Sequence, residues 1–412
     1  MTGPPTTRVH VTVEIGGTAV KAGTAFATER RGVTSVVFDY DPGYLANRRS
    51  YPLSPDLSLG TGKHSLAGLP GCFADSAPDR WGRSLIAKRA RARARDDGRQ
   101  LGSIQEVDYL LGVSDPSRQG ALRFSLTEGG PYLGTEPDVP KLVALPRLLR
   151  AADAVATDGD DDMGAVKELL DAGSGSLGGA RPKASVHDGD NLLIAKFPHQ
   201  SDEWDVMAWE MTALDLAERC GIRVPDHQLV DVGGRSVLLL DRFDRDMGTR
   251  VGYVSAMTLL RVRDQDRADY LEMAEALSEH GSQVSLDLAE LWRRIAFSLI
   301  INNVDDHLRN HGFLRATAGW RLSPAFDINP HPDPRASRAT TIGYADTAET
   351  AVAALFASAA DFGLDDTEAR AVWAATLAGT ASWREVATAN GISTGQCDRF
   401  AAVMDRFGNP RH

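Results

Sequence analysis

The 412-residue chain carries a formal net charge of −11, with 42% hydrophobic and 25% charged residues. Those proportions describe a globular protein of two or three packed units and exclude a disordered chain. The acidic balance also excludes a surface that coats nucleic acid unaided, because phosphate neutralisation needs a basic face. Cys72, Cys220 and Cys397 form no CxxC pair, which fits a reducing compartment and argues against a zinc site. Met1 to Arg8 lacks the apolar stretch of a signal peptide and no run of about 18 apolar residues follows, so a cytoplasmic protein without a membrane span is expected.

In chain order, Val9, Val11, Val13 and Ile15 alternate with polar residues and end at Gly16-Gly17, the pattern of a half-buried strand entering a hairpin. Val33 to Tyr40 predicts a further strand, and a helix begins near Pro78 with Trp81, Leu85 and Ile86 on it. From Arg80 to Arg95 that helix has seven basic residues and no acid. Such a run is ordinarily a solvated face, with a partner surface as the alternative. Asp158 to Asp162 reads as an exposed acidic loop.

Beyond about residue 185 the pattern mixes strand (Asn191 to Phe197, Ser236 to Leu240) with helix (Asp205 to Cys220). A long helix follows from about Ser285 to Ile301, where Leu288, Leu291, Trp292, Ile295 and Leu299 share a stripe. The last part reads as helical, with Asp365 and Glu368 spaced as a capping box. The expected order is a β unit, an α/β unit and a helical unit.

Asp305 and Asn310, just past the long helix, have the spacing of a kinase catalytic loop, in which the acid orients a hydroxyl and the amide holds magnesium. Asp and Asn are also common in plain turns, so the spacing alone leaves both readings open. A hairpin about Ala318-Gly319 returns the chain and brings Asp327 beside Asn310, a pair of oxygen donors suited to Mg-ATP. The other reading of Asp327 is a turn cap before Pro330.

Upstream, Ser174 to Ala180 is a small-residue loop whose amides can approach phosphates, or else a linker. Lys196 closes an apolar strand and needs a partner. Glu210, on the apolar stripe of its helix, offers one, either as a structural ion pair or as the pair that kinases use to hold nucleotide. Asp241-Arg-Phe243 follows a buried strand and suits a hinge against adenine. The serial order of glycine loop, strand lysine, helix acid, catalytic Asp with Asn, and metal Asp is the informative signal. HExxH is absent.

Ser176-Leu-Gly-Gly-Ala-Arg-Pro-Lys183, Ala195-Lys-Phe-Pro198, Asp241-Arg-Phe-Asp-Arg245, Asn303 to Leu314 and Leu322 to Ile328 together resemble the HipA family of serine/threonine kinase toxins. The resemblance is specific over about residues 170 to 330 and looser before that. It implies an α+β, protein-kinase-like bilobal fold. A β-rich N-terminal region would occupy 1–135, a kinase N-lobe with glycine loop and hinge 136–245, and a helical C-lobe with the catalytic loop 246–412.

The same resemblance implies ATP- and magnesium-dependent phosphorylation of a protein serine, with Asp305 as base and Asn310 and Asp327 on metal. Nucleotide contacts fall to Ser176, Gly178, Gly179, Ala180, Lys183, Lys196, Asp241, Phe243 and His307, and Ser176 is the expected autophosphorylation site. It further implies a HipB-like helix-turn-helix antitoxin, DNA reached only through that partner, and a translation protein such as an aminoacyl-tRNA synthetase as target. Asp306 stands where many members carry glycine, and Asp241 where glutamate is frequent. A small-molecule acceptor, or a non-catalytic co-repressor, are the alternative functions.

Overall fold

Gly16 and Gly17 take φ values of 56° and 76°, a conformation glycine adopts without a Cβ penalty. They join β1 (Thr6–Ile15) to β2 (Thr18–Arg30) with Ile15 opposite Thr18, a two-residue hairpin loop. The computed structural model that shows this describes residues 6–100, 102–134, 139–157, 163–174, 181–263, 266, 268–345 and 347–408. The chain divides into two units, one of residues 1–200, 232–235 and 244–254, the other of residues 201–231, 236–243 and 255–412. The fold class is α+β.

In the first unit, β3 (Val33–Tyr40), β4 (Lys63–Ala67) and β5 (Leu122–Ser125) complete an antiparallel sheet in the order β4-β3-β2-β1-β5. Val9, Val11 and Val13 are buried as their alternation requires, and Phe38, Phe73 and Phe124 pack edge to face, with successive centroids 5.9 and 5.2 Å apart. The helix Arg80–Asp96 starts at Asp79, whose carboxylate caps Gly82 N, and it buries Trp81, Leu85 and Ile86. Its basic run is divided. Arg83 pairs with Glu106 at 2.6 Å and Arg89 reaches the Gly112 carbonyl at 3.3 Å, while Arg80, Arg91, Arg93 and Arg95 face solvent. β6 (Lys183–Asp188) and β7 (Asn191–Lys196) form a hairpin that turns at Gly189.

In the second unit the helix Val206–Arg219 is capped by Asp205, and β8 (His227–Asp231) pairs antiparallel with β9 (Ser236–Asp241). The helix Val284–Ile300 buries Leu288, Leu291, Trp292, Ile295 and Leu299, the predicted stripe. Its Trp292 indole donates to the Leu355 carbonyl at 3.2 Å. Around it lie the helices Tyr270–His280, Ala348–Ala357, Asp366–Thr380, Trp383–Ala389 and Thr394–Met404. Asp365 and Glu368 form the expected capping box.

The strands Gly312–Ala316 and Gly319–Leu322 make the expected hairpin, but its loop is Thr317-Ala318, one residue earlier than predicted, with Ala316 opposite Gly319. Gly319 is needed in the strand, not the turn. A Cβ there would lie 2.7 Å from the His280 carbonyl oxygen, so the close approach of two backbones sets this position.

Candidate active site

The helix Val284–Ile300 delivers the chain to Asn302, which has a φ of 57°. Asparagine tolerates the left-handed region better than most residues, and here it reverses the chain. Its amide donates to the carbonyls of His331 at 2.7 Å and Asp333 at 3.0 Å. Those bonds, the Ala339 amide on the Val304 carbonyl at 2.8 Å and Arg338 on the Asn303 carbonyl at 3.1 Å strap residues 331–339 along the loop that carries Asp305.

The two neighbouring acids of this loop have opposite fates. Asp305 is exposed, whereas Asp306 is 8% exposed and three side chains converge on its carboxylate. Tyr270 Oη donates to Asp306 Oδ2 at 2.5 Å, Ser298 Oγ to the same oxygen at 3.2 Å, and His311 Nε2 lies 3.0 Å from Oδ1. Burial by itself raises the Asp306 carboxyl, but the His311 ring and the Tyr270 and Ser298 hydroxyls together hold it below the ordinary aspartate value. Asp305 moves the other way. Although the residue as a whole is exposed, partial burial of its carboxyl raises it, His307 and His331 oppose the rise, and the charges of Asp327 and Asp306 add to it. The exposed acid is thus the better base.

Asn310 donates from Nδ2 to the Asp305 carbonyl at 3.0 Å. A small cavity under the loop is lined by Asn303, Asp306, Asn310, His311, Phe326 and Ile328 among others. Asp327, between the last two, has a φ of 57°, a conformation that costs energy in a non-glycine residue and has to be held in place by its surroundings.

The residues that lead into Asp327 are anchored to other elements. Arg294 donates to the Ser323 carbonyl at 2.7 Å, Asp287 accepts from Leu322 N at 3.1 Å, and the Arg223 carbonyl accepts from Ala325 N at 2.7 Å. Glu290 joins Arg223 at 2.6 Å and also pairs with Arg294. Asp287, Glu290 and Arg294 recur at helical spacing inside an apolar helix, which was the readable signal.

The other predicted residues are placed as follows. Asp241 ends β9, its amide bonded to the Asp226 carbonyl at 2.8 Å, and the Phe243 ring lies 5.4 Å from Phe326. His307 is half-buried, and its Nδ1 is a buried nitrogen without a hydrogen-bond partner. Glu210 is buried on the helix Val206–Arg219. In the first unit, Lys196 is buried at the end of β7, opposite Lys183, whose ammonium lies 3.3 Å from Asp79. Ser176, Gly178, Gly179 and Ala180 lie outside the described residues, as does Asp158 to Asp162. Asp305, Asn310, Asp327, His307 and Phe243 thus lie in the same unit, where Asn310 is bonded to Asp305 and the Asp327 charge acts on Asp305.

Among the described residues, no three or more His, Cys, Asp or Glu side chains are placed to hold a metal on their own. Magnesium asks for less, since it takes one or two side-chain oxygens and completes its shell with phosphates and water. Asn310 and Asp327 supply such hard oxygen donors, and the buried His307 nitrogen without a hydrogen-bond partner is a polar group close enough to Asp305 to act on its charge, so the donor set fits a magnesium-bound nucleotide. No helix among the described residues is long and apolar enough to cross a membrane.

The model of the HipA-like C-terminal domain matches residues 175–383 and that of the HipA N-terminal domain residues 18–107. A candidate kinase of Haemophilus influenzae is 23% identical over 169 residues, covering 36% of this chain and 48% of that protein. A candidate kinase of Sinorhizobium fredii is 27% identical over 201 residues, covering 41% of this chain and 48% of its own length. These matches span about half the length of the curated relatives. The fold matches a HipA chain of Shewanella oneidensis, solved with HipB and operator DNA, with a TM-score of 0.66, 15% identity and 97% of both chains covered.

Proposed function

The chain belongs to the HipA family, and from that premise we propose that it is an ATP-dependent protein serine/threonine kinase and the toxin of a toxin–antitoxin pair. One observation carries the catalytic part of this reading: of two adjacent acids, the fold buries Asp306 against Tyr270 and His311 and leaves Asp305 exposed with raised basicity.

In the proposed reaction an acceptor hydroxyl attacks the γ-phosphorus of ATP, the new O–P bond forms, the bond to the β-phosphate oxygen breaks, and ADP leaves. Asp305 orients the hydroxyl and takes its proton. Asn310, tied to the Asp305 carbonyl, and Asp327, which follows the segment anchored by Arg223, Asp287 and Arg294, would hold magnesium, which offsets phosphate charge when bound. His307, Asp241 and Phe243 are proposed nucleotide contacts, as on family grounds are Lys183, Lys196 and the loop of Ser176, Gly178, Gly179 and Ala180. A small helix-turn-helix antitoxin is the proposed partner, with DNA reached only through it, and a translation protein such as an aminoacyl-tRNA synthetase the proposed target.

The test is to incubate the protein with γ-labelled ATP and magnesium, offering a host protein extract in one arm and a panel of small alcohols in the other. Label on a protein serine or threonine, lost in Asp305→Asn, is the expected result. Label on the alcohols alone would make the chain a small-molecule phosphotransferase, and none in either arm would leave an ATP-binding co-repressor.

A further inference from the structure

We infer that Asp306 is a positioning residue, which with Tyr270 as its principal donor fastens the loop that presents Asp305 to the elements on either side of it. The inference rests on the proposed phosphotransfer only for its kinetic readout. Its geometry stands independently.

Asp306 ties together four pieces of chain. Its Oδ2 accepts from Tyr270 at 2.5 Å, at the start of the helix Tyr270–His280, and from Ser298 at 3.2 Å, near the end of the helix Val284–Ile300. Its Oδ1 faces His311 Nε2 at 3.0 Å, just before the strand Gly312–Ala316. Its carbonyl accepts from Thr340 Oγ1 at 2.5 Å.

The residue beside Tyr270 reinforces the grip. Asp269 accepts from Thr341 Oγ1 at 2.9 Å and from Tyr344 N at 3.0 Å while capping its own helix at Leu271 N. Residues 268–269 and 340–341 also pair as a short parallel ladder. Residues 269–270 thus hold the loop through Asp306 and hold the chain at Thr341 through Asp269, so both sides of Asp305's loop share one anchor.

A glycine at position 306 would leave the buried Tyr270 hydroxyl without its acceptor and His311 without the neighbouring carboxylate, inside protein where such groups are normally paired, while Ser298 would keep the Asn303 carbonyl at 3.1 Å. Because Asp305 is the next residue along the backbone, movement of residue 306 is passed directly to the base. Misplacement of a reacting group by about 1 Å can cost about 100-fold in rate, and supporting contacts exist to prevent it.

The test uses Tyr270→Phe, which deletes one hydroxyl and keeps the ring that packs 5.8 Å from His311, together with Ser298→Ala and Asp306→Asn. The readouts are kcat per folded molecule, KM for ATP, and hydrogen exchange of the amides from 303 to 310. The expected result for Tyr270→Phe is a kcat lowered about ten-fold with KM for ATP within about two-fold, and faster exchange confined to that loop. Ser298→Ala should act in the same direction and less. Unchanged kcat per folded molecule with unchanged loop exchange would overturn the inference and leave Asp306 a plain core residue. If Asp306→Asn fails to fold, Tyr270→Phe carries the test. If the wild-type protein transfers no phosphate, the proposed function falls, and loop exchange alone decides the inference, with faster exchange supporting it and no change sinking it.

Discussion

Asn310 and Asp305 are joined by a 3.0 Å hydrogen bond from the Asn310 side-chain amide to the Asp305 carbonyl. The bond closes the loop on itself and commits the nitrogen end of the amide, which leaves the oxygen end as the one available to a cation. It also keeps the Asp305 main chain fixed while its carboxylate stays exposed.

Asp305→Asn should therefore abolish phosphotransfer by a factor of about 100 to 10,000, the range for loss of a general base, and leave ATP affinity nearly intact. Asp306→Asn should cost much less. Steady-state rates and equilibrium nucleotide binding measured on both variants decide the matter, and a reversal of their order would show that Asp306 is the base.

Ser176, in the family-like loop, is the proposed site of self-phosphorylation. A phosphoserine carries about −1.5 to −2 charges at neutral pH and would repel ATP phosphates of the same sign. Mass spectrometry after incubation with Mg-ATP should find phosphate on Ser176, and Ser176→Asp should bind ATP more weakly. Phosphate on Ser174 alone, or wild-type affinity in the Asp variant, would rule out this form of self-inhibition.

His227 offers a pH-dependent contribution to stability in the second unit. Nδ1 faces the Pro225 carbonyl at 2.8 Å and Nε2 faces Asp215 Oδ1 at 3.2 Å, so both nitrogens meet acceptors and the ring is best served as imidazolium. The hydrogen bond to Asp215 raises His227 above its ordinary value. Burial raises Asp215 too, but bonds from His227 and Asn390 bring it below the ordinary aspartate value. A raised histidine stabilises the fold fully below its unfolded value of about 6.5 and loses that contribution as pH rises through the folded value. The lowered Asp215 loses its own contribution only as pH falls below about 3.9. Compared with His227→Gln, the wild type should gain thermal stability near pH 5 to 6, and the difference should shrink toward about pH 8. A Tm difference that stays constant over that range would mean the ring does not titrate with this pair.

Gly319→Ala should destabilise the protein by about 1 to 3 kcal/mol, the usual cost of forcing a methyl group into packed surroundings. The obstacle is backbone, since the His280 oxygen would lie 2.7 Å from the new carbon. Chemical denaturation measures the loss. Ala318→Gly, in the turn, should change stability by less, and equal losses would argue against a specific close approach at 319.

Local spacing was enough to read the hairpin strands, the helix stripe of Leu288, Leu291, Trp292, Ile295 and Leu299, the Asp365 capping box, and the interval between Asp305 and Asn310. Each depends on residues within a few positions of one another, where strand and helix periods and turn chemistry act directly. The hairpin loop was misplaced by one residue because Gly319 resembles a turn glycine, whereas its true constraint is the His280 backbone from another element.

Which of the adjacent acids stays exposed could not be read in that way. Asp306 is buried because Tyr270, 36 residues earlier, and Thr340, 34 residues later, converge on it with Ser298 and His311. The segment that leads into the left-handed Asp327 is likewise anchored by Asp287 and Arg294, which pack with Arg223 and Glu290, and their charges look like surface residues until the helix that carries three of them is seen to be buried. The sequence by itself determined the proposed base, the proposed metal donors and the hairpin strands, because those are matters of side-chain type and near spacing. Only the tertiary structure decided which carboxylate is buried among partners and which is left exposed, because desolvation and hydrogen bonding are set by groups that are distant along the chain and meet only when it folds.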